Sequence, residues 1–107
     1  MKRIALLGST GSIGRQSLEV IEVLGYRVTA LTANRSVELL EAQCRRFRPR
    51  LAVCMDAEAA KALKIKISDT PVKVLAGMEG LMEAAAAEET DVVLTAVMGM
   101  VGLRPTL

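Results

Sequence analysis

Histidine and tryptophan are both missing from the 107-residue sequence. Without an imidazole the chain holds no Ser-His or Cys-His couple and no histidine metal ligand. The two aromatic residues, Tyr26 and Phe47, are too few for a base-stacking platform. A net charge of +2 projects no strong field toward nucleic acid or an anionic membrane. No apolar run approaches the ~20 residues of a membrane helix. After Met1-Lys2-Arg3 the apolar stretch from Ile4 to Leu7 is too short for a secretory signal and runs straight into glycine. The two cysteines, Cys44 and Cys54, form no Cys-x-x-Cys pair. They read as reduced, buried, small apolar residues of a cytoplasmic protein, ahead of a disulfide.

What is present is apolar and evenly mixed. With 51% hydrophobic and 24% charged residues the chain is expected to form one globular domain rather than a disordered segment. Buried strands are expected at Lys2 to Leu7, Tyr26 to Thr32, Leu51 to Cys54, Val72 to Leu75 and Asp91 to Val97. The last of these is almost continuously apolar, as in a central parallel strand covered on both faces. Between them lie helices. Ser12 to Leu24 has an apolar face and Gly25 as its stop. Ser36 is placed to cap a helix carrying Val37, Leu40, Cys44 and Phe47 as a core-facing stripe, which Pro49 ends. Asp56 caps an Ala-rich helix reaching about Leu63, and Met78 to Glu88 is rich in helix formers. Alternating strand and helix predicts an α/β, Rossmann-like three-layer fold with a mostly parallel sheet. Gly102 to Leu107, with Pro105 near a first helical position, looks like a helix opening whose body does not follow. This implies that residues 1–107 are the amino-terminal part of a longer protein.

Gly8-Ser9-Thr10-Gly11-Ser12-Ile13-Gly14 stands where a phosphate site belongs, between the first strand and the first helix. Gly8 lets the chain leave the strand in a tight turn. Gly11 lets backbone approach a diphosphate, and Gly14 lets the helix pack close. The amides that open the helix face the anion, aided by the helix dipole. Ser9, Thr10 and Ser12 add hydroxyl donors. Arg15-Gln16 follows where a phosphate loop of the NTPase type needs Lys-Ser or Lys-Thr, which argues against ATP or GTP hydrolysis. The plainer reading is a glycine turn without a ligand.

The end of the second strand selects among dinucleotides. A carboxylate there would grip ribose hydroxyls and repel a 2′-phosphate. The sequence instead offers Asn34-Arg35-Ser36, and an arginine flanked by amide and hydroxyl groups favours the phosphate, pointing to NADP(H). Alternatively Asn34 is a turn residue, Arg35 a solvated charge and Ser36 only a cap. Arg45, Arg46, Arg48 and Arg50 suit a solvated helix end. Met78, Met82, Met98 and Met100 suit core filling. Ala96 to Gly99 follows a strand on the ligand side, where it could line a nicotinamide channel.

These segments closely resemble the start of the 1-deoxy-D-xylulose 5-phosphate reductoisomerase family. The likeness runs through Leu7 to Gly14, Ser17 to Ile21, Ala30 to Ser36, Gln43-Cys44, Phe47-Arg48-Pro49, Leu51 to Val53, and Gly102-Leu103 with Pro105-Thr106-Leu107. It is loosest from Asp56 to Ala87. The resemblance implies a homodimeric enzyme of isoprenoid biosynthesis. Such an enzyme rearranges the phosphosugar 1-deoxy-D-xylulose 5-phosphate and reduces the product aldehyde with NADPH, giving 2-C-methyl-D-erythritol 4-phosphate. It also implies a divalent metal (Mg, Mn or Co), with the metal ligands and catalytic residues beyond residue 107. Thr10, Gly11, Ser12 and Ile13 match the positions holding the NADPH phosphates, and Asn34, Arg35 and Ser36 those around the 2′-phosphate. The fragment alone is then inactive. Two other readings remain: another NADP-dependent oxidoreductase of short-chain or semialdehyde type, and a non-catalytic nucleotide-sensing module.

Overall fold

Nine elements alternate without interruption in a computed structural model that describes residues 2–86 and 90–95. The strands are β1 (Arg3–Leu7), β2 (Arg27–Ala33), β3 (Leu51–Cys54), β4 (Lys73–Ala76) and β5 (Val92–Thr95). The helices are α1 (Ser12–Leu24), α2 (Val37–Phe47), α3 (Ala57–Lys66) and α4 (Gly77–Ala86). The strands form one sheet in the order β4-β3-β2-β1-β5, and every pairing is parallel.

Parallel strands need covering on both faces, and the apolar residues divide accordingly. One face carries Ile4, Leu6, Leu31, Ala52 and Cys54. Leu18 and Ile21 of α1, Leu40 and Cys44 of α2, and Leu63 of α3 pack on it. The other carries Ala5, Ala30, Leu51 and Val53, with Ala84 of α4 against them. The three expected layers are thus present. Alternation along β2 is broken once. Between the pairs Ile4↔Val28 and Ala5↔Ala30 the register slips, and Thr29 is the extra residue of a β-bulge. The slip lets Val28 and Leu31 share the face covered by α1, α2 and α3. The Thr29 hydroxyl meets that of Thr90 at 2.5 Å, and its carbonyl accepts from the Arg50 amide at 2.9 Å.

Local chemistry closes α1 and α2 and opens α3 where the sequence indicates. At the end of α1, Gly25 lies in the left-handed region, with its amide donating to Glu22 and that of Tyr26 to Ile21, the Schellman arrangement. Asp56 caps α3 by accepting from the Glu58 amide at 3.0 Å. Arg48 closes α2 at φ 50°, just ahead of Pro49.

Three expectations are corrected. The strand at residues 92–95 is an edge, not a central strand, among the described residues: it pairs only with β1, and Val92, Val93 and Leu94 are 36–41% exposed. Its low polarity is therefore not the mark of a strand covered on both sides here. Met78 and Met82 are not core filling but stand 60% and 65% exposed, because α4 turns Gly80 and Ala84 to the sheet instead. The helix begun at Asp56 runs past Leu63 to Lys66. Residues 96–107, with the suggested channel lining at Ala96 to Gly99, Met98, Met100 and the helix opening at 102–107, lie outside the described residues.

Candidate functional site: the glycine turn and the end of β2

Because the strands are parallel, their carboxyl ends share one rim. There β1 delivers the glycine turn and its neighbour β2 delivers Asn34, Arg35 and Ser36. The two segments meet through Thr32. The Gly8 amide donates to the Thr32 hydroxyl at 2.9 Å and to its carbonyl at 3.1 Å, and the Ser9 amide donates to the same carbonyl at 2.8 Å. Gly8 sits at φ 83°, a left-handed conformation that a side chain would strain. Its role is the turn itself, since its own amide is engaged inward.

Ser9 departs from expectation. It was to offer a hydroxyl to an anion, but it is fully buried. Its hydroxyl donates to Oε1 of Gln43 at 2.6 Å, and Nε2 of Gln43 donates to the Ser9 carbonyl at 2.8 Å. The seated turn then climbs outward. Thr10 is half-buried, and Gly11, Ser12 and Ile13 are exposed. Gly11 is the N-cap of α1 in an extended conformation, and a Cβ there would meet nothing within 4 Å. Gly14 is the opposite: its Cβ would lie 2.1 Å from the Gly8 carbonyl oxygen. The start of α1 therefore lies tight against the turn beneath it and open above.

This open helix start has the properties an anion needs. Its first amides have no acceptor within the helix. The cap residue has no side chain to supply one, and no acidic residue stands in the first turn. A phosphate entering there meets donors and the positive end of the dipole.

At the end of β2, Asn34, Arg35 and Ser36 are all exposed. The backbone there is held firmly, with Ala33 and Asn34 carbonyls accepting from the Met55 and Asp56 amides at 2.9 and 3.0 Å. Ser36 occupies the N-cap of α2 as the sequence indicates, yet its side chain makes no cap hydrogen bond. Its hydroxyl is not committed to the helix. Glu38, in the first turn of α2, is the nearby acid in sequence.

The arginine cluster plays the structural part expected of it. Arg45 pairs with Glu41 and Asp69 and donates to the Lys66 carbonyl. The Arg45 guanidinium holds the Asp69 carboxyl below the usual carboxylate range. Arg46 pairs with Glu22 and lies over the Phe47 ring. Asp91 pairs with Arg3 at the entry to β5, which lowers its pKa. Both cysteines are free and buried, and burial pushes the Cys44 thiol up to about 12.

Sequence reasoning did not single out Thr32 or Gln43 as parts of this site. Thr32 is hidden inside a β-rich strand. Gln43 was visible as the one amide beside Leu40 and Cys44 on an otherwise apolar stripe. Among the described residues, no group of three His, Cys, Asp or Glu side chains could hold a metal ion. Nor, among them, is any helix long and apolar enough to cross a membrane.

Comparison with known proteins gives a consistent result. The family described as 1-deoxy-D-xylulose 5-phosphate reductoisomerase matches residues 4–107. The enzyme of that name from Halothermothrix orenii is 48% identical over 99% of this chain, and that from Moorella thermoacetica 52% over 99%. In each case the chain spans 28% of the relative's length. Among solved structures, the reductoisomerase from Zymomonas mobilis in complex with NADPH superposes with a TM-score of 0.84. It is 36% identical over 94% of this chain and 27% of its own. A reductoisomerase structure with NADPH, fosmidomycin and magnesium gives a TM-score of 0.87 at 34% identity, over 96% of this chain and 26% of that one.

Proposed function

The chain belongs to the 1-deoxy-D-xylulose 5-phosphate reductoisomerase family, and from that premise we propose that residues 1–107 are the NADPH-binding part of a longer reductoisomerase. The short-chain and semialdehyde readings give way to that membership. The complete enzyme would convert 1-deoxy-D-xylulose 5-phosphate to 2-C-methyl-D-erythritol 4-phosphate, in the cytoplasm and as a homodimer. Relatives solved with NADPH, and with fosmidomycin and magnesium, support the coenzyme and divalent-metal parts of this reading. The metal and the phosphosugar would be held by residues outside this chain.

The observation that carries the reading is the uncapped start of α1, on a turn fastened to Thr32, with unfilled space at Gly11. The residues fit the coenzyme. Amides from Thr10 to Ile13 and the hydroxyls of Thr10 and Ser12 would bind the diphosphate, and Gly11 would let it lie against backbone. Arg35, with Asn34 and the uncommitted Ser36 hydroxyl, would bind the 2′-phosphate through charge-assisted hydrogen bonds. NADPH, when bound, supplies the reducing equivalent for the aldehyde. The part of this domain is to orient it.

Titration of the complete protein with both coenzymes tests this. NADPH should bind at least about tenfold tighter than NADH, the yield of one charged hydrogen bond or more. Gly11→Val should weaken both while leaving the melting temperature near that of the parent, since the new Cβ enters open space. Equal affinity for the two coenzymes would remove the 2′-phosphate assignment.

A further inference from the structure

We propose that Gln43 is a positioning residue for the diphosphate turn, acting through Ser9, an inference that rests on the coenzyme reading above. Gln43 is 6% exposed and sits between Leu40 and Cys44, both fully buried. A leucine or methionine would fill such a place without needing partners, whereas a buried amide is unfavourable unless both ends are hydrogen-bonded. Gln43 directs both ends to one residue. The Ser9 carbonyl can only accept, so the group facing it at 2.8 Å is the NH₂ of Gln43. That leaves Oε1 to accept the Ser9 hydroxyl at 2.6 Å. The chemistry of the partners fixes the orientation of the amide.

The consequence falls on the next peptide. No peptide bond among the described residues is cis, so in the planar Ser9–Thr10 unit the N–H points opposite to the C=O. Holding the Ser9 carbonyl toward α2 aims the Thr10 amide away from it. The preceding peptide is held separately, by the Ser9 amide on the Thr32 carbonyl at 2.8 Å. Ser9 is thus fixed at both of its peptide planes, and Gln43 controls the one that leads into Thr10, Gly11 and the start of α1. Helix α2, which carries Gln43, begins at Val37 with Ser36 as its N-cap, about two turns before Gln43. Gln43 therefore also links the turn to the segment that would hold the 2′-phosphate.

The test measures NADPH dissociation constants and melting temperatures for the complete protein and four variants. Gln43→Met keeps volume and removes both hydrogen bonds. It should raise the NADPH Kd about tenfold, as expected for losing a buried hydrogen-bonded pair. Ser9→Ala removes only the hydroxyl and should raise it less. The Ser9→Ala/Gln43→Met double variant should be no weaker than Gln43→Met alone, because the two residues act as one unit. Leu63→Ala, a fully buried change on α3, reports a purely structural defect, with a lower melting temperature and Kd within twofold of the parent. Should Gln43→Met behave like Leu63→Ala, or the double variant show the product of the single effects, the positioning role is overturned. Should Gln43→Met not fold, Ser9→Ala decides: a Kd within twofold of the parent overturns the proposal. Gly11→Val, run alongside, separates the two readings. If it leaves NADPH binding intact, the coenzyme site itself is misassigned. If it abolishes binding while Gln43→Met does not weaken it, only the role of Gln43 fails.

Discussion

A Cβ on residue 14 would stand 2.1 Å from the carbonyl oxygen of Gly8, with the Ser9 Cα and carbonyl carbon at 2.7 and 2.8 Å. The first turn of α1 and the turn that follows β1 are therefore in backbone contact, and only glycine permits it. Gly14→Ala must push α1 from the turn or break the Gly8 and Ser9 hydrogen bonds to Thr32. A loss of roughly 3 kcal/mol or more follows, at the upper end of single-substitution effects. Urea unfolding monitored by circular dichroism checks it. Gly11→Ala, with nothing within 4 Å of its new methyl, is the matched control and should unfold close to the parent.

Arg35 projects from the end of β2 on the rim that carries the turn, beside a serine whose hydroxyl makes no cap bond. Arg35→Ala should weaken NADPH binding by ~1 to 3 kcal/mol, the range for losing a charged hydrogen bond. NADH, which lacks the 2′-phosphate, should bind the variant as it binds the parent. Coenzyme titration followed by fluorescence separates the two. An equal loss for both would show that Arg35 serves the fold and not the phosphate.

Much of this arrangement could be read from sequence because local rules and packing agree. Gly25 ends α1 and Asp56 opens α3 through backbone chemistry that neighbouring residues decide. Ile4 to Leu6 of β1 and the whole of β3 are buried, and their unbroken apolar character says so. The turn was legible for the same reason, since three glycines between a strand and a helix leave few alternatives. Ser9 was misread because its side chain is engaged by Gln43, 34 residues along the chain: the α2 stripe can mark an amide at position 43, but not the partner it meets. The exposure of β5 was equally hidden: apolar content measures what a strand tolerates, and among the described residues only β1 stands beside it. Met78 and Met82 face outward because α4 places its small residues, Gly80 and Ala84, against the sheet, which a count of apolar positions does not foresee.

Burial pushes the Cys44 thiol up to about 12 and also raises that of Cys54, so both stay protonated in the native protein. Neither should react with an aromatic disulfide reagent at pH 8 until the chain is unfolded in denaturant. The sign of the linkage follows. The unfolded thiol loses its proton from about pH 8.5, whereas the folded one holds it to near 12. The Cys44 contribution is complete below that lower value and declines as pH rises through the interval. The urea midpoint of the parent should fall more steeply between pH 8.5 and 10.5 than that of Cys44→Ala, and parallel curves would refute the assignment.

Thr29 is supernumerary to the pairing of β2 with β1. Remove it, and Val28 and Leu31 become ordinary alternate residues with their faces unchanged, since the slip between Ile4↔Val28 and Ala5↔Ala30 is what its presence creates. What vanishes is the tether of its hydroxyl to Thr90 and of its carbonyl to Arg50. The inserted residue, itself buried, thus works as a fastener, tying the middle of the sheet to the approach of its last strand.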